Sequence, residues 1–72
     1  MKINVKKLNK KQQKELEKKL IANIENDIII DLDLVEKMEN LKKFYRITQQ
    51  IEKMEKMQIE IDKTIDIINM EV

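Results

Sequence analysis

Apolar side chains recur through the second half of this chain in steps of three and four. Leu34, Met38, Leu41, Tyr45 and Thr48 make one series. Ile47, Ile51, Met54, Gln58, Ile61, Ile65, Ile68 and Val72 make a second, with Gln58 its polar member. Such spacing stacks side chains on one face of an α-helix and, sustained over heptads, favours a left-handed coiled coil. Lys, Glu and Gln fill the gaps, and alternation of period two is confined to residues 58–62, so the pattern predicts helix rather than strand.

No glycine or proline interrupts residues 33–70. One helix over that stretch would run about 55 Å, at about 1.5 Å per residue. A compact chain of 72 residues should have a radius of gyration of only roughly 11 Å. The two series are also out of step, because Tyr45 and Ile51 are six residues apart. Two all-α architectures follow. One is a helical hairpin with a long, coiled-coil-like second helix. The other is a three-helix bundle, formed if that helix breaks near Gln49 and Gln50.

Upstream, residues 1–8 read as a basic leader. Ile3 and Val5 alternate with polar residues, which predicts an extended or frayed segment. Asn9 and Gln12 form a capping box that opens a first helix over 9–26. Leu16, Leu20, Ile21 and Ile24 are its apolar face, and Glu15 with Lys19 is an i,i+4 pair in the favourable order. Asn26 and Asp27 tolerate the left-handed conformation that ends helices. Residues 27–32 are an apolar linker, expected to plug the end of the hairpin with Ile28, Ile29 and Ile30. Asp31 and Asp33 compete to cap the next helix, Asp33 through Glu36 and Asp31 through an Ile30–Val35 staple. Either places acid where the helix dipole favours it.

The first helix, roughly 27 Å long, covers only half of a continuous second one. The isoleucine-rich stripe of 51–72 would then need other cover. Isoleucine at both seam positions favours trimers or tetramers, and a buried Gln58 would set register. An uncovered stripe of that width is rare in a monomer.

Composition sharpens this. The chain is one small domain, 42% hydrophobic. Chains this short bury only about 60% of their unfolded surface, so a partner or a staple is expected. There is no cysteine, histidine, serine or glycine. That argues against an enzyme: the usual acid–base and nucleophilic groups and the phosphate-cradling loop are missing. Asp31, Asp33 and Glu36 lack calcium-loop spacing and read as capping groups, so no metal and no cofactor is expected. The longest apolar run, residues 28–30, is far short of a transmembrane segment. With no signal sequence recognised, the expected compartment is cytoplasmic. The net charge of +1 conceals a polarity. Residues 1–19 hold eight lysines against two acids, residues 20–40 six acids against one lysine, and residues 41–72 are balanced.

Two candidate surfaces result. The first is a protein interface on Ile51, Met54, Ile61, Ile65 and Ile68, joined by Phe44, Tyr45 and Arg46. Those three are the only bulky aromatics and the only arginine. Tyr and Arg are enriched in binding hot spots, although core packing is the commoner reading of the two rings. The second is a nucleic-acid contact through Lys6, Lys7, Lys10, Lys11, Lys14 and Lys18, whose ammonium groups could neutralise phosphates.

The order LNKKQQKELEKKL, then IENDIIIDLDLVEKMENLKKFYRITQQIEKM, resembles the N-terminal helical part of phage terminase small subunits over residues 8–54. It departs from them in having no tryptophan after Leu16 and no glycine in the turn. The resemblance implies ring assembly and recognition of viral DNA. The leading expectation is a small interaction module, of phage or mobile-element origin, that self-associates or docks on a protein as an inhibitor or adaptor. The alternative is a nucleic-acid-binding module that uses the lysine-rich segment.

Overall fold

The computed structural model describes residues 4–70, so the expectations for Lys2, Ile3 and Val72 lie outside it. The described residues contain a short 3₁₀ turn, Val5–Lys7, and three α-helices: α1 (Lys10–Glu25), α2 (Leu32–Ile47) and α3 (Ile51–Met70). Of the two architectures, it is the broken helix that forms.

The break is a Schellman motif assembled without glycine. Gln49 takes a left-handed conformation (φ 61°). The Gln50 amide donates to the Tyr45 carbonyl at 2.8 Å and the Gln49 amide to that of Arg46 at 3.2 Å, the paired bonds that define this ending. The Thr48 hydroxyl donates to the Phe44 carbonyl at 2.8 Å and accepts from the Gln50 side chain at 2.9 Å. Thr48, which continues the first apolar series in sequence, therefore serves as a cap. The mismatch between the two series is resolved by reversing the chain, so that both stripes face each other.

The other ends follow their capping chemistry. Asn9 accepts from the Gln12 amide at 2.8 Å, and the Gln12 side chain accepts from the Asn9 amide at 3.1 Å. Asp31, not Asp33, caps α2, accepting from the Leu34 amide at 3.1 Å. Asn26 ends α1 in the right-handed region; the left-handed residue among the described ones is Gln49, which ends α2. Asp27 accepts from the Ile29 amide and pairs with Lys37 at 3.1 Å. Both contacts hold its carboxyl below the usual range, the Lys37 bond most strongly. With its backbone turned this way, the linker exposes its isoleucines: Ile28 is 93% exposed, and Ile29 and Ile30 are also open. They do not plug the bundle. In the described part of the leader, Asn4 caps the 3₁₀ turn and Val5 packs on the core, so residues 5–7 are not extended.

α2 is the central element. It contributes Leu34, Val35, Met38, Leu41, Phe44 and Tyr45, six of the seven buried side chains among the described residues; Ile61 of α3 is the seventh. These form two adjoining clusters. Leu34, Val35, Met38 and Ile61 lie at one end, covered by Ile24, Met57 and Ile68. Leu41, Phe44 and Tyr45 lie at the other, covered by Val5, Leu16, Leu20, Ile21, Ile24, Met54 and Met57. α1 and α3 flank α2 on either side, both antiparallel to it, and touch each other only lightly. The radius of gyration is 13.0 Å and the molecule is 43 Å long, more extended than the roughly 11 Å expected of a sphere-like chain.

Candidate interaction groove

Because α1 and α3 both pack on α2 but barely on each other, an open groove of about 530 Å³ runs between them. Its floor is apolar: Ile21 and Ile24 of α1, Met38, Leu41 and Tyr45 of α2, and Met57 of α3. Glu17 and Glu25 form one rim, and Lys53, Lys56 and Glu60 the other. Residues 53, 56 and 60 recur at helical spacing and so share one flank of α3, which Ile67, seven residues beyond Glu60, continues.

One end of the groove is latched. The Tyr45 hydroxyl donates to Glu17 Oε2 at 2.8 Å, and Lys53 Nζ reaches the same oxygen at 3.1 Å. Lys53 also stands over the Tyr45 ring, 5.6 Å from its centroid. Side chains from all three helices thus meet at one carboxylate. Burial, then the bond to Glu17 and its negative charge, push the Tyr45 phenol up to about 12. Phe44 meets Tyr45 edge-on, with centroids 5.8 Å apart, and points to the opposite side, under Val5, Leu16 and Leu20.

The sequence-based interface set divides. Ile61 is 2% exposed and is core, as are Phe44 and Tyr45. Met54 and Ile68 are half-buried against α2, while Ile51, Ile65 and Arg46 are exposed. The stripe reads as a free surface only if the helix runs on past Gln49. Once the chain reverses there, Met54, Ile61 and Ile68 turn inward against α2, while Ile51 and Ile65 stay at the surface. Gln58, the expected register residue, bonds Lys42 and Asp62 inside the chain. Glu17, Glu25, Lys56 and Glu60 were not legible as a group, since only the three-helix arrangement brings them to one groove.

The lysines of the second candidate set, Lys6, Lys7, Lys10, Lys11, Lys14 and Lys18, are all exposed. The fold adds to them. Reversal at Gln49 places residues 42–56 beside residues 4–19, giving twelve cationic groups against four acids, net +8. Residues 20–41 and 57–70 gather at the other end, with nine acids against two lysines, net −7. The segment that sequence alone reads as balanced is cut by the turn into a basic and an acidic half. α1 also has no acid in its first turn, so Lys10 and Lys11 lie at the positive end of its dipole, an unfavourable placement of about 0.3–1 kcal/mol each. Both features suit a negatively charged neighbour at that end.

Among the described residues, no His, Cys, Asp or Glu cluster is arranged to hold a metal ion, and no helix is long and apolar enough to cross a membrane. The chain matches no protein-family model, no curated protein and no solved structure.

Proposed function

We propose that this chain is a non-enzymatic protein–protein interaction module whose docking surface is the groove between α1 and α3. The observation that carries this reading is the groove's make-up: a floor of aliphatic, thioether and Tyr45 ring groups framed by charges of both signs. An amphipathic helix offers the matching pattern, an apolar stripe edged with charge, and helix-in-groove docking is a common mode of recognition. Two methionines in the floor suit an adaptable contact. The roles open to such a surface are to hold, occlude or bridge, those of an inhibitor or adaptor. A photo-crosslinking residue placed at Lys56, on the groove rim, should capture protein in the cell of origin. The same residue at Asp62, on the opposite flank of α3, should not. Equal capture at both positions, or capture at Asp62 alone, would overturn the reading.

A second reading is favoured by the net +8 end. The N-terminal lysines lie beside Lys42, Lys43 and Arg46, which line a shallow depression with Glu39. Such a surface would neutralise phosphates, as recognition of DNA by a terminase-like module requires. Binding to duplex DNA should then fall steeply with salt and vanish when Lys10, Lys11, Lys14 and Lys18 are neutralised. Binding that is indifferent to both would remove this reading.

A further inference from the structure

The linker between α1 and α2 presents an apolar surface that the fold does not use. Ile28, Ile29, Ile30 and Leu32 all stand in solvent, Ile28 at 93% exposed and Leu32 at 72%. The Asp27 turn and the Asp31 cap fix the backbone that holds them there. Single exposed aliphatic side chains are ordinary, but several gathered in one patch mark an interaction site. This patch lies at the acidic end. Glu25, Asp33 and Glu36, close by in the chain, are exposed and make no ion pair among the described residues. The result is a protruding apolar tip surrounded by negative charge.

The other end carries a counterpart. On the side of the α1–α2 pair away from the groove, Val5, Leu16, Leu20, Phe44 and Ile47 line an open cleft of about 350 Å³, with Lys43 at its edge. Lys6 and Lys7 belong to the 3₁₀ turn that supplies Val5. These three lysines make no ion pair within the chain among the described residues. The cleft is concave, apolar and framed by cations, whereas the tip projects and is framed by anions. The ends that bear them carry net +8 and net −7.

We infer that this chain associates with itself head to tail, the isoleucine tip of one copy seated in the basic cleft of the next. The acids around the tip meet Lys6, Lys7 and Lys43. The acidic pole also gives Lys10 and Lys11 the negative neighbour that the start of α1 lacks. Tip and cleft lie toward opposite ends of a 43 Å molecule, so the contact is heterologous. Each added copy leaves one tip and one cleft free, and the assembly grows as a chain. Opposite poles steer the encounter, while like ends repel. Neither surface belongs to the α1–α3 groove, so the inference stands apart from docking there.

The test removes each half of the contact at exposed positions. Ile28→Asn with Ile29→Asn spoils the tip, and Lys43→Glu with Ile47→Asn spoils the cleft. Sedimentation equilibrium follows the wild type, each variant and an equimolar mixture of the two, with circular dichroism to verify that each stays helical. If the second variant loses helix, Lys43→Glu alone replaces it. The wild-type mass should climb past that of a dimer with concentration, and association should weaken about tenfold between low salt and 0.5 M salt. Each variant alone should be monomeric where the wild type associates. The mixture restores one contact, between the intact tip of one variant and the intact cleft of the other, and should form a 1:1 complex that grows no further. A wild type that stays monomeric to millimolar concentration, or that stops at a dimer, would overturn the inference. So would a folded variant that associates alone as well as the wild type, or a mixture that stays monomeric.

Discussion

The two ends of this molecule are built by different means. At the basic end, four chain segments converge: the 3₁₀ turn, α1, the end of α2 and the start of α3. Phe44 and Tyr45 are covered from both sides, and Glu17 ties Tyr45 to Lys53. At the acidic end, α2 is covered by Ile24 from α1 and by Ile61 and Ile68 from α3, while the linker leaves Ile28, Ile29, Ile30 and Leu32 in water. Polar contacts between helices and a cap without glycine hold the first end. The second is closed mainly by apolar packing, with Ile61 of α3 buried against Leu34, Val35 and Met38 of α2. Net charge accumulates at both ends, so the contacts that close the bundle act against repulsion within each pole.

The largest expected effect lies at the acidic end. Ile61→Ala should remove about 2–5 kcal/mol, the usual range for emptying a fully buried aliphatic site, and in a domain this small that approaches the whole stability. Ile61→Asp should unfold the monomer outright. Denaturant unfolding followed by circular dichroism measures both. A soluble, fully helical Ile61→Asp protein would restore the alternative in which this side chain faces a partner. By contrast, Ile28→Asn or Ile29→Asn should change stability by less than about 0.5 kcal/mol, as for surface positions generally.

At the basic end the latch should be weaker and dependent on pH. Tyr45→Phe should cost about 1 kcal/mol at neutral pH, the usual worth of one hydrogen bond. The phenol ionises at about 12 in the fold against 10.0 in the free side chain. A raised folded value means that its contribution is complete below pH 10 and is lost as pH climbs toward 12. Wild-type stability should therefore fall across that interval more steeply than that of Tyr45→Phe. Parallel pH profiles would remove the latch from the account. The smallest effect is at the turn. Gln49→Gly should stabilise the chain by about 0.5–1 kcal/mol, because glycine enters the left-handed region without the steric penalty a side chain carries. A loss of stability there would mean that Gln49 holds the turn by its side chain.

Much of this fold was legible in local signals. The Asn9–Gln12 box, the apolar face of α1, the acidic opening of α2 and the interruption near Gln49 all depend on residues a few positions apart. The linker was misread because three consecutive isoleucines suggest burial, while the Asp27 turn and Asp31 cap that direct them outward are backbone events. The candidate interface divides for a different reason: the stripe is the same whether it meets a partner or its own α2, and only the direction of the chain after Thr48 decides that Ile61 is buried while Ile51 and Ile65 are not. The groove and the charged poles follow from that same reversal and carry no signature in any single segment.

Everything about the groove therefore depends on the reversal at Gln49, and a distance across it is the most direct test. The chain has no natural cysteine, so spin labels can be placed at Glu39 and Lys63, both exposed. Labelled protein would be diluted into unlabelled chain to suppress distances between copies. In the folded-back arrangement these residues stand on neighbouring helices with axes roughly 8–10 Å apart, which puts the labels within about 25 Å of each other. In a continuous helix they would be about 36 Å apart along the axis, at about 1.5 Å per residue. A single short distance is the expected result, and a population near the long one would contradict the three-helix fold and the groove with it.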